Sequence, residues 1–237
     1  ETTNPMPLKK LIETSPLGCA GMFVLGGVFS AQFGMAAVYG AEVGLSLGEI
    51  SLFVATFYIG AVFLQYPIGW LSDRMDRRRL IMSVAAIGAF GALIGVFMGQ
   101  SFTLLLVSAF IVGGTSNPLY SLLIAHTNDF LDFDDMVSAS GGLLFINGIG
   151  AIAGPLIVGW VMQAIGAFGF FVLISLLMAG LTLYAAYRST QRPAPSVEEA
   201  NAYQTVMPTA SLLSVEFAQE IAIETALEEE ESQDVDE

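Results

Sequence analysis

The chain is predicted to be an all-α membrane protein: six transmembrane helices followed by a disordered, acidic C-terminal tail. Three observations lead there. Of its 237 residues, 54% are hydrophobic and only 13% charged, about half the charged share of a soluble domain. The apolar residues gather into six uncharged runs, each close to the roughly 20 residues needed to cross a hydrocarbon core of about 30 Å. Finally, every lysine and arginine falls on one side of the topology those runs define. Buried helices of a large soluble protein are the competing explanation, but such a core is wrapped by helices with a polar stripe. Residues 80–124 carry no charged side chain at all, so nothing is left to face water.

Taken in order, residues 1–16 read as a cytoplasmic linker. The chain opens on Glu1 rather than Met, and its first apolar run follows a Pro5 to Pro16 stretch without the cleavage pattern of a signal peptide. A preceding segment is therefore expected upstream. Lys9 and Lys10 introduce span one, placed at 17–39, where the lone Cys19 reads as a small packing residue and excludes a disulfide within the chain. Span two occupies 49–71, and Arg74, Arg77, Arg78 and Arg79 separate it from span three at 79–99. Span four lies at 102–124, span five at 137–163 and span six at 166–187. Of the connectors, only 125–136 is long enough to hold a turn of its own. Arg188 and Arg192 follow the last span, while the loops at 40–48, 100–101 and 164–165 hold no basic residue. The positive-inside rule then makes both ends of the segment cytoplasmic.

The formal net charge of −14 belongs mostly to the tail: residues 1–188 sum to −3 and residues 189–237 to −11. Pro193, Pro195, scattered Ser and Thr and the run Glu228 to Glu231 mark 189–237 as a disordered extension. A weak amphipathic helix around Leu212 to Leu227 is the alternative for part of it. The expected organisation is thus a linker at 1–16, a six-helix bundle at 17–188 and a tail at 189–237.

Mechanism is concentrated in the connector Gly69-Trp70-Leu71-Ser72-Asp73-Arg74-Met75-Asp76-Arg77-Arg78-Arg79. A glycine one turn before an aspartate admits a close helix neighbour. The aspartate then stands at a helix end, where it can pair with arginine or with the N-terminus of another helix. Such a charge cluster can latch one conformation and break in the other. On charge alone, the four arginines would do no more than enforce topology. Span five carries a second pattern, Gly148, Gly150, Gly154-Pro155 and Gly159: small residues permit close backbone contact, and proline removes a backbone donor and bends the helix.

The connector resembles the loop signature of the major facilitator superfamily: a glycine, three residues, Asp-Arg, then a basic pair, matched by Gly69, Asp73, Arg74, Arg77 and Arg78. Asp76 departs from it, standing where a glycine is usual, which puts a tight turn in question and offers a further ion pair to Arg78 or Arg79. The span-five stretch with Gly150, Gly154, Pro155 and Gly159 resembles the glycine-proline helix of the same family. Within it, the phrase from Ile50 to Leu80, with Phe57-Tyr58-Ile59-Gly60 and Gln65-Tyr66-Pro67-Ile68-Gly69, is most similar to bacterial drug-efflux-related and YcaD-type members. The resemblance covers about residues 10–190. It implies that the six spans form one half-bundle, equivalent to helices seven to twelve of a secondary transporter. The other six-helix half is then a partner in the same transporter, the setting is a bacterial inner membrane, and the mode is alternating access, with proton coupling and efflux of a small molecule as expectations.

Polar residues within apolar spans are the candidates for a substrate path: Gln32 and Tyr39 in span one, Tyr58 and Gln65 in span two, Asn117 and Tyr120 in span four, and Asn147 in span five. Gln and Asn serve equally as interhelical hydrogen bonds of roughly 1 kcal/mol. Asn117 precedes Pro118 and follows Gly113-Gly114, so span four is expected to bend there. No acid lies at mid-depth, since Glu42 and Glu49 sit at the outer edge. His126 reads as a helix cap or a solvated loop residue. Asp129, Asp132, Asp134 and Asp135 lack the glycine and terminal glutamate of a calcium loop, so they read as a charged rim or a cap for span five. With one histidine and one cysteine, neither an intramembrane enzyme nor a multi-cysteine metal site is expected, and no cofactor or nucleic-acid partner is implied. The rival to a transporter is a membrane receptor or scaffold that binds partners through the acidic tail.

Overall fold

The computed structural model describes residues 6–131 and 133–191; the tail expected beyond Gln191 and the first five residues lie outside that range. A short helix α1 (Leu8–Thr14) leads into α2 (Pro16–Phe29), a π-helical segment (Ser30–Met35) and α3 (Ala36–Glu42). There follow α4 (Leu47–Ser72), α5 (Arg77–Met98), α6 (Phe102–Asn128), α7 (Phe133–Ile165) and α8 (Gly169–Ser189). Counting α2 to α3 as one span, six helices are long and apolar enough to cross a membrane.

The observed ends differ from the sequence-based ones by a few residues, and local chemistry explains where they fall. Helix α4 starts early because Ser46 and Glu49 form a reciprocal capping box, the Ser46 N–H donating to Glu49 Oε2 at 2.8 Å. Helix α5 starts at Arg77 because Asp76 Oδ1 accepts from the Arg78 N–H at 2.9 Å. The aspartate in place of glycine therefore acts as a cap. Its φ of −54° needs no glycine, and positive φ occurs only at Gly44 and Gly166, in turns on the opposite end, among the described residues. Helix α6 continues to Asn128, which shortens the long connector to a tight turn. Part of the expected linker is helical too: α1 buries Leu11, and Lys10 Nζ reaches Asp135 Oδ2 of α7 at 2.7 Å.

Span one and α6 form the centre of the bundle, α7 packs on α2, α4 packs on α6, and α5 lies between α6 and α8. Spans one to three thus repeat in spans four to six: one meets five as four meets two. The close crossings repeat as well. Phe23-Val24-Leu25-Gly26-Gly27 in span one returns as Phe110-Ile111-Val112-Gly113-Gly114 in span four. At the α2–α7 crossing a Cβ on Gly26 would overlap the Asn147 carbonyl oxygen, and one on Gly150 the Phe23 carbonyl oxygen. At the α4–α6 crossing, Gly60 stands in the same way against the Phe110 carbonyl and Gly113 against that of Phe57. Each crossing is a reciprocal pair, glycine against carbonyl three residues before the opposing glycine. Lipid tails are as apolar as leucine, so such backbone packing, with Cα–H···O contacts, holds helices together where the hydrophobic effect cannot.

Candidate functional site

Two places gather polar chemistry. The first is the central seam between span one and α6. Gln32 lies in the π-helical segment and is fully buried; its Nε2 donates to Ser116 Oγ at 2.9 Å, and Ser116 Oγ reaches its Oε1 at 3.2 Å. A π segment widens the helix by one residue per turn and is frequent where a side chain must be re-aimed. Here it puts the amide across the seam, opposite the Asn117-Pro118 step. Asn117 Nδ2 donates to the Gly113 carbonyl at 3.0 Å within its own helix. Tyr120 is buried with its ring 5.9 Å from Phe29.

The remaining cavity candidates are spread more widely. Tyr39 stands inside an aromatic cluster, its ring 5.0 Å from Phe170, 5.2 Å from Phe171 and 5.7 Å from Phe53. Asn147 is buried and donates to the Met22 carbonyl at 2.9 Å, tying α7 to α2 beside the glycine crossing. Gln65 is half-buried on α4. Tyr58 is exposed and stacks on Phe33 at 4.8 Å. In span five Gly150 and Gly154 face α2 and the Ser30 hydroxyl, Gly159 has only ordinary contact with Met35, and Pro155 sits half-buried inside the helix. Gln32, Asn117 and Tyr120 thus share the seam, while Tyr39 and Asn147 belong to packing clusters at its two sides. An exchange of Gln32→Leu should cost about 1 kcal/mol, the worth of one buried interhelical hydrogen bond, measured as the shift in thermal unfolding of the solubilised protein.

The second place is the basic end, where the α4–α5 connector meets the end of α6. Gly69 is buried; Asp73 closes α4 as its C-cap and is exposed. Arg74 is exposed, donating to the Trp70 carbonyl at 3.0 Å with its guanidinium 4.2 Å from the Trp70 ring centroid. Arg77 turns inward. It pairs with Asp129, both side chains being only 4% exposed, and its Nε donates to Ser72 Oγ at 3.2 Å. Arg78 is also buried, 5.5 Å from the Phe130 ring. Arg79 stays outside, 4.0 Å from Asp76. The connector is therefore fastened to α6 through Arg77, with Asp73 and Arg74 on its outer surface.

Sequence reading missed several partners. Asp129, expected in a charged rim or as a cap for span five, neutralises a buried arginine; acids weigh little in topology rules, so nothing local singles it out. Ser116 and Ser72 are ordinary in type and acquire a role only from the chain opposite. His126 is buried at 4% exposure, edge-on to Phe130, and does not stand in a solvated loop. The repeated Phe-x-x-Gly-Gly was legible through a search for internal repeats. No group of three or more His, Cys, Asp or Glu is placed to hold a metal ion among the described residues.

The sequence pattern of the Major Facilitator Superfamily matches residues 18–223. The chain is 29% identical over 168 residues to the uncharacterized MFS-type transporter YfkF of Bacillus subtilis, covering 68% of this chain and 41% of that protein. It is 26% identical over 163 residues to the uncharacterized MFS-type transporter YcaD of Escherichia fergusonii, covering 69% and 41%. The chain therefore spans less than half the length of these curated relatives. Among solved structures, it superimposes on the POT family transporter PepTSo with a TM-score of 0.64 at 16% identity, over 84% of this chain and 39% of that one, a likeness of fold. With six apolar spans, three-helix repeats, a Gly-x-x-x-Asp-Arg connector and the family pattern running through the whole bundle, the chain belongs to the Major Facilitator Superfamily.

Proposed function

We propose that this chain is the C-terminal half, helices seven to twelve, of a secondary active transporter that moves a small molecule across a bacterial inner membrane, its basic connectors facing the cytoplasm. The observation that carries the reading is the repeated, glycine-interlocked bundle itself: a body rigid enough to rock as a unit against a second one around a site near the midplane. Helices α4 and α7 are the least buried spans and expose large apolar side chains, including Phe63, Tyr66, Ile152 and Trp160. A second bundle and lipid are the covers for these faces. The seam at Gln32, Asn117 and Tyr120 is the proposed substrate wall. It is apolar apart from neutral amides and hydroxyls, which favours a hydrophobic substrate over a sugar or an acid. The titrating carboxylate of a proton-coupled cycle then lies in the other half.

In this reading Asp73 and Arg74, exposed on a connector that Arg77 and Asp129 hold rigid, form the latch between halves, with Gly69 admitting the neighbouring helix and Arg78 bracing the connector from inside. Whole helices can part and re-meet without exposing backbone hydrogen bonds, as the motion requires. The test is ethidium efflux from cells or proteoliposomes carrying the full-length transporter, with and without a protonophore. Asp73→Asn is expected to lower flux about tenfold or more, the effect of losing a charge-assisted contact of at least about 1.4 kcal/mol, with membrane insertion unchanged. Wild-type flux in that variant would remove the latch. Flux indifferent to the protonophore would remove proton coupling.

A further inference from the structure

Four aromatic rings run in a chain from the buried seam to the open flank of the bundle. The Tyr120 ring of α6 lies 5.9 Å from Phe29 of span one, Phe29 lies 6.0 Å from Phe33, and Phe33 lies 4.8 Å from Tyr58 of α4. Exposure rises along the chain: Tyr120 and Phe29 are buried, Phe33 is half-buried and Tyr58 is 45% exposed. The series therefore begins in packing and ends on a ring that packing does not cover.

The depth of that open end restricts what can face it. Phe29 has thirteen residues of the 27-residue span one before it and thirteen after, and Tyr58 has eleven of the 26 residues of α4 before it and fourteen after. Both stand near the bilayer midplane. A phenol turned to lipid tails at that depth would leave its hydroxyl without a hydrogen bond, which hydrocarbon penalises. Lipid-facing tyrosines gather instead at the headgroup level, where the ring is apolar and the hydroxyl wet. The Tyr58 ring leans on span one, the centre of the bundle, so its exposed part belongs to the space between the two halves.

The rings are also arranged to accept another. Phe33 and Tyr58 are close to parallel, at 27°, and so are Phe29 and Phe33, at 20°. Aromatic rings favour offset stacking at centroid separations of about 4.5–7 Å, and a near-parallel stack that stops at an exposed ring presents its face to one more. Phe33 belongs to the π-helical segment that Gln32 anchors on Ser116, so the pair is organised before a ligand arrives. Gly34, the next residue, is exposed, and a Cβ on it would meet nothing within 4 Å; this half of the transporter leaves span one open there.

We infer that Phe33 and Tyr58 form a stacking platform for a planar aromatic ring of the transported molecule. The inference rests on the transport reading above and narrows it. An apolar wall alone accepts any hydrophobic substrate, whereas a ring platform separates aromatic from aliphatic molecules of similar size. The negative ring faces also receive a ring system that carries positive charge.

The test is binding to the full-length transporter in nanodiscs. Ethidium, a planar aromatic cation, is followed by fluorescence anisotropy against empty discs; phenanthridine, its uncharged ring system, and tetrapentylammonium, an aliphatic cation of similar carbon count, are read by competition. Phe33→Leu and Tyr58→Leu keep apolar bulk and lose the ring. Each should weaken ethidium and phenanthridine about threefold to tenfold, the worth of one aromatic pair, and tetrapentylammonium by less than about twofold. Tyr58→Phe keeps the ring and should bind like the parent protein, and Phe90→Leu, which removes an exposed ring of α5 outside the chain of four, should change nothing. Tyr58 is exposed, so its variants remain informative even where Phe33→Leu disturbs folding. Three results overturn the platform: ethidium bound no better than by empty discs, ethidium binding unchanged in Tyr58→Leu, or an equal loss of tetrapentylammonium. Transport of tetrapentylammonium without preference for aromatic rings would remove the platform and leave the transport reading standing.

Discussion

Gly113→Ala is expected to destabilise the protein, although helix propensity alone favours the substitution by about 1 kcal/mol. The added methyl would overlap the Phe57 carbonyl oxygen of α4, and that atom is backbone, which cannot rotate away. The helices must separate, and their mutual van der Waals contact falls along the whole crossing. Overpacking of this kind costs about 1–3 kcal/mol, which outweighs the propensity gain, and Gly26→Ala, Gly60→Ala and Gly150→Ala should act in the same direction. Gly148 provides the control: it lies in the same helix as Gly150, but nothing stands within 4 Å of the site where its Cβ would go. Gly148→Ala should therefore be neutral or stabilising by up to about 1 kcal/mol. Thermal unfolding of the purified protein in a single detergent reads both. At about 2–4 °C per kcal/mol for a protein of this size, Gly113→Ala should fall several degrees. A rise at Gly113 matching that at Gly148 would show that the interlock carries no weight.

The ion pair between Arg77 and Asp129 should be costly to break and cheap to replace. Both side chains are 4% exposed, so Asp129→Asn leaves a guanidinium charge out of water without its counter-ion. Breaking one side of such a pair costs about 3–5 kcal/mol, a large fraction of the stability of an ordinary domain. The double exchange Arg77→Met with Asp129→Leu removes both charges and their desolvation together, and such replacements are often neutral. A double-mutant cycle on unfolding midpoints separates the two outcomes. Additive single losses would mean that the charges act on stability independently, and the connector would then not be fastened to α6 by their attraction. Flux in the double variant carries a second message: retained folding with lost transport would place the pair in the conformational cycle.

What the sequence determined by itself was everything that a bilayer dictates. Hydrocarbon admits only long uncharged helices, so six runs could be counted and placed to within a few residues. The Gly69 to Arg79 connector was readable because its spacing is local, with every residue within three turns of its neighbours. The Phe-x-x-Gly-Gly repeat lay open as well, although its meaning as two reciprocal crossings did not. Tertiary structure alone decided which polar group meets which. Ser116 answers Gln32 through a π-helical segment that no periodicity announces, Asp129 answers Arg77 across more than fifty positions of chain, and Tyr39, a cavity candidate by type, closes an aromatic cluster. The reason is one of range. Transfer from water to lipid is a property of each segment on its own, whereas a hydrogen bond or an ion pair in the interior exists only once two distant segments have been brought within about 3 Å.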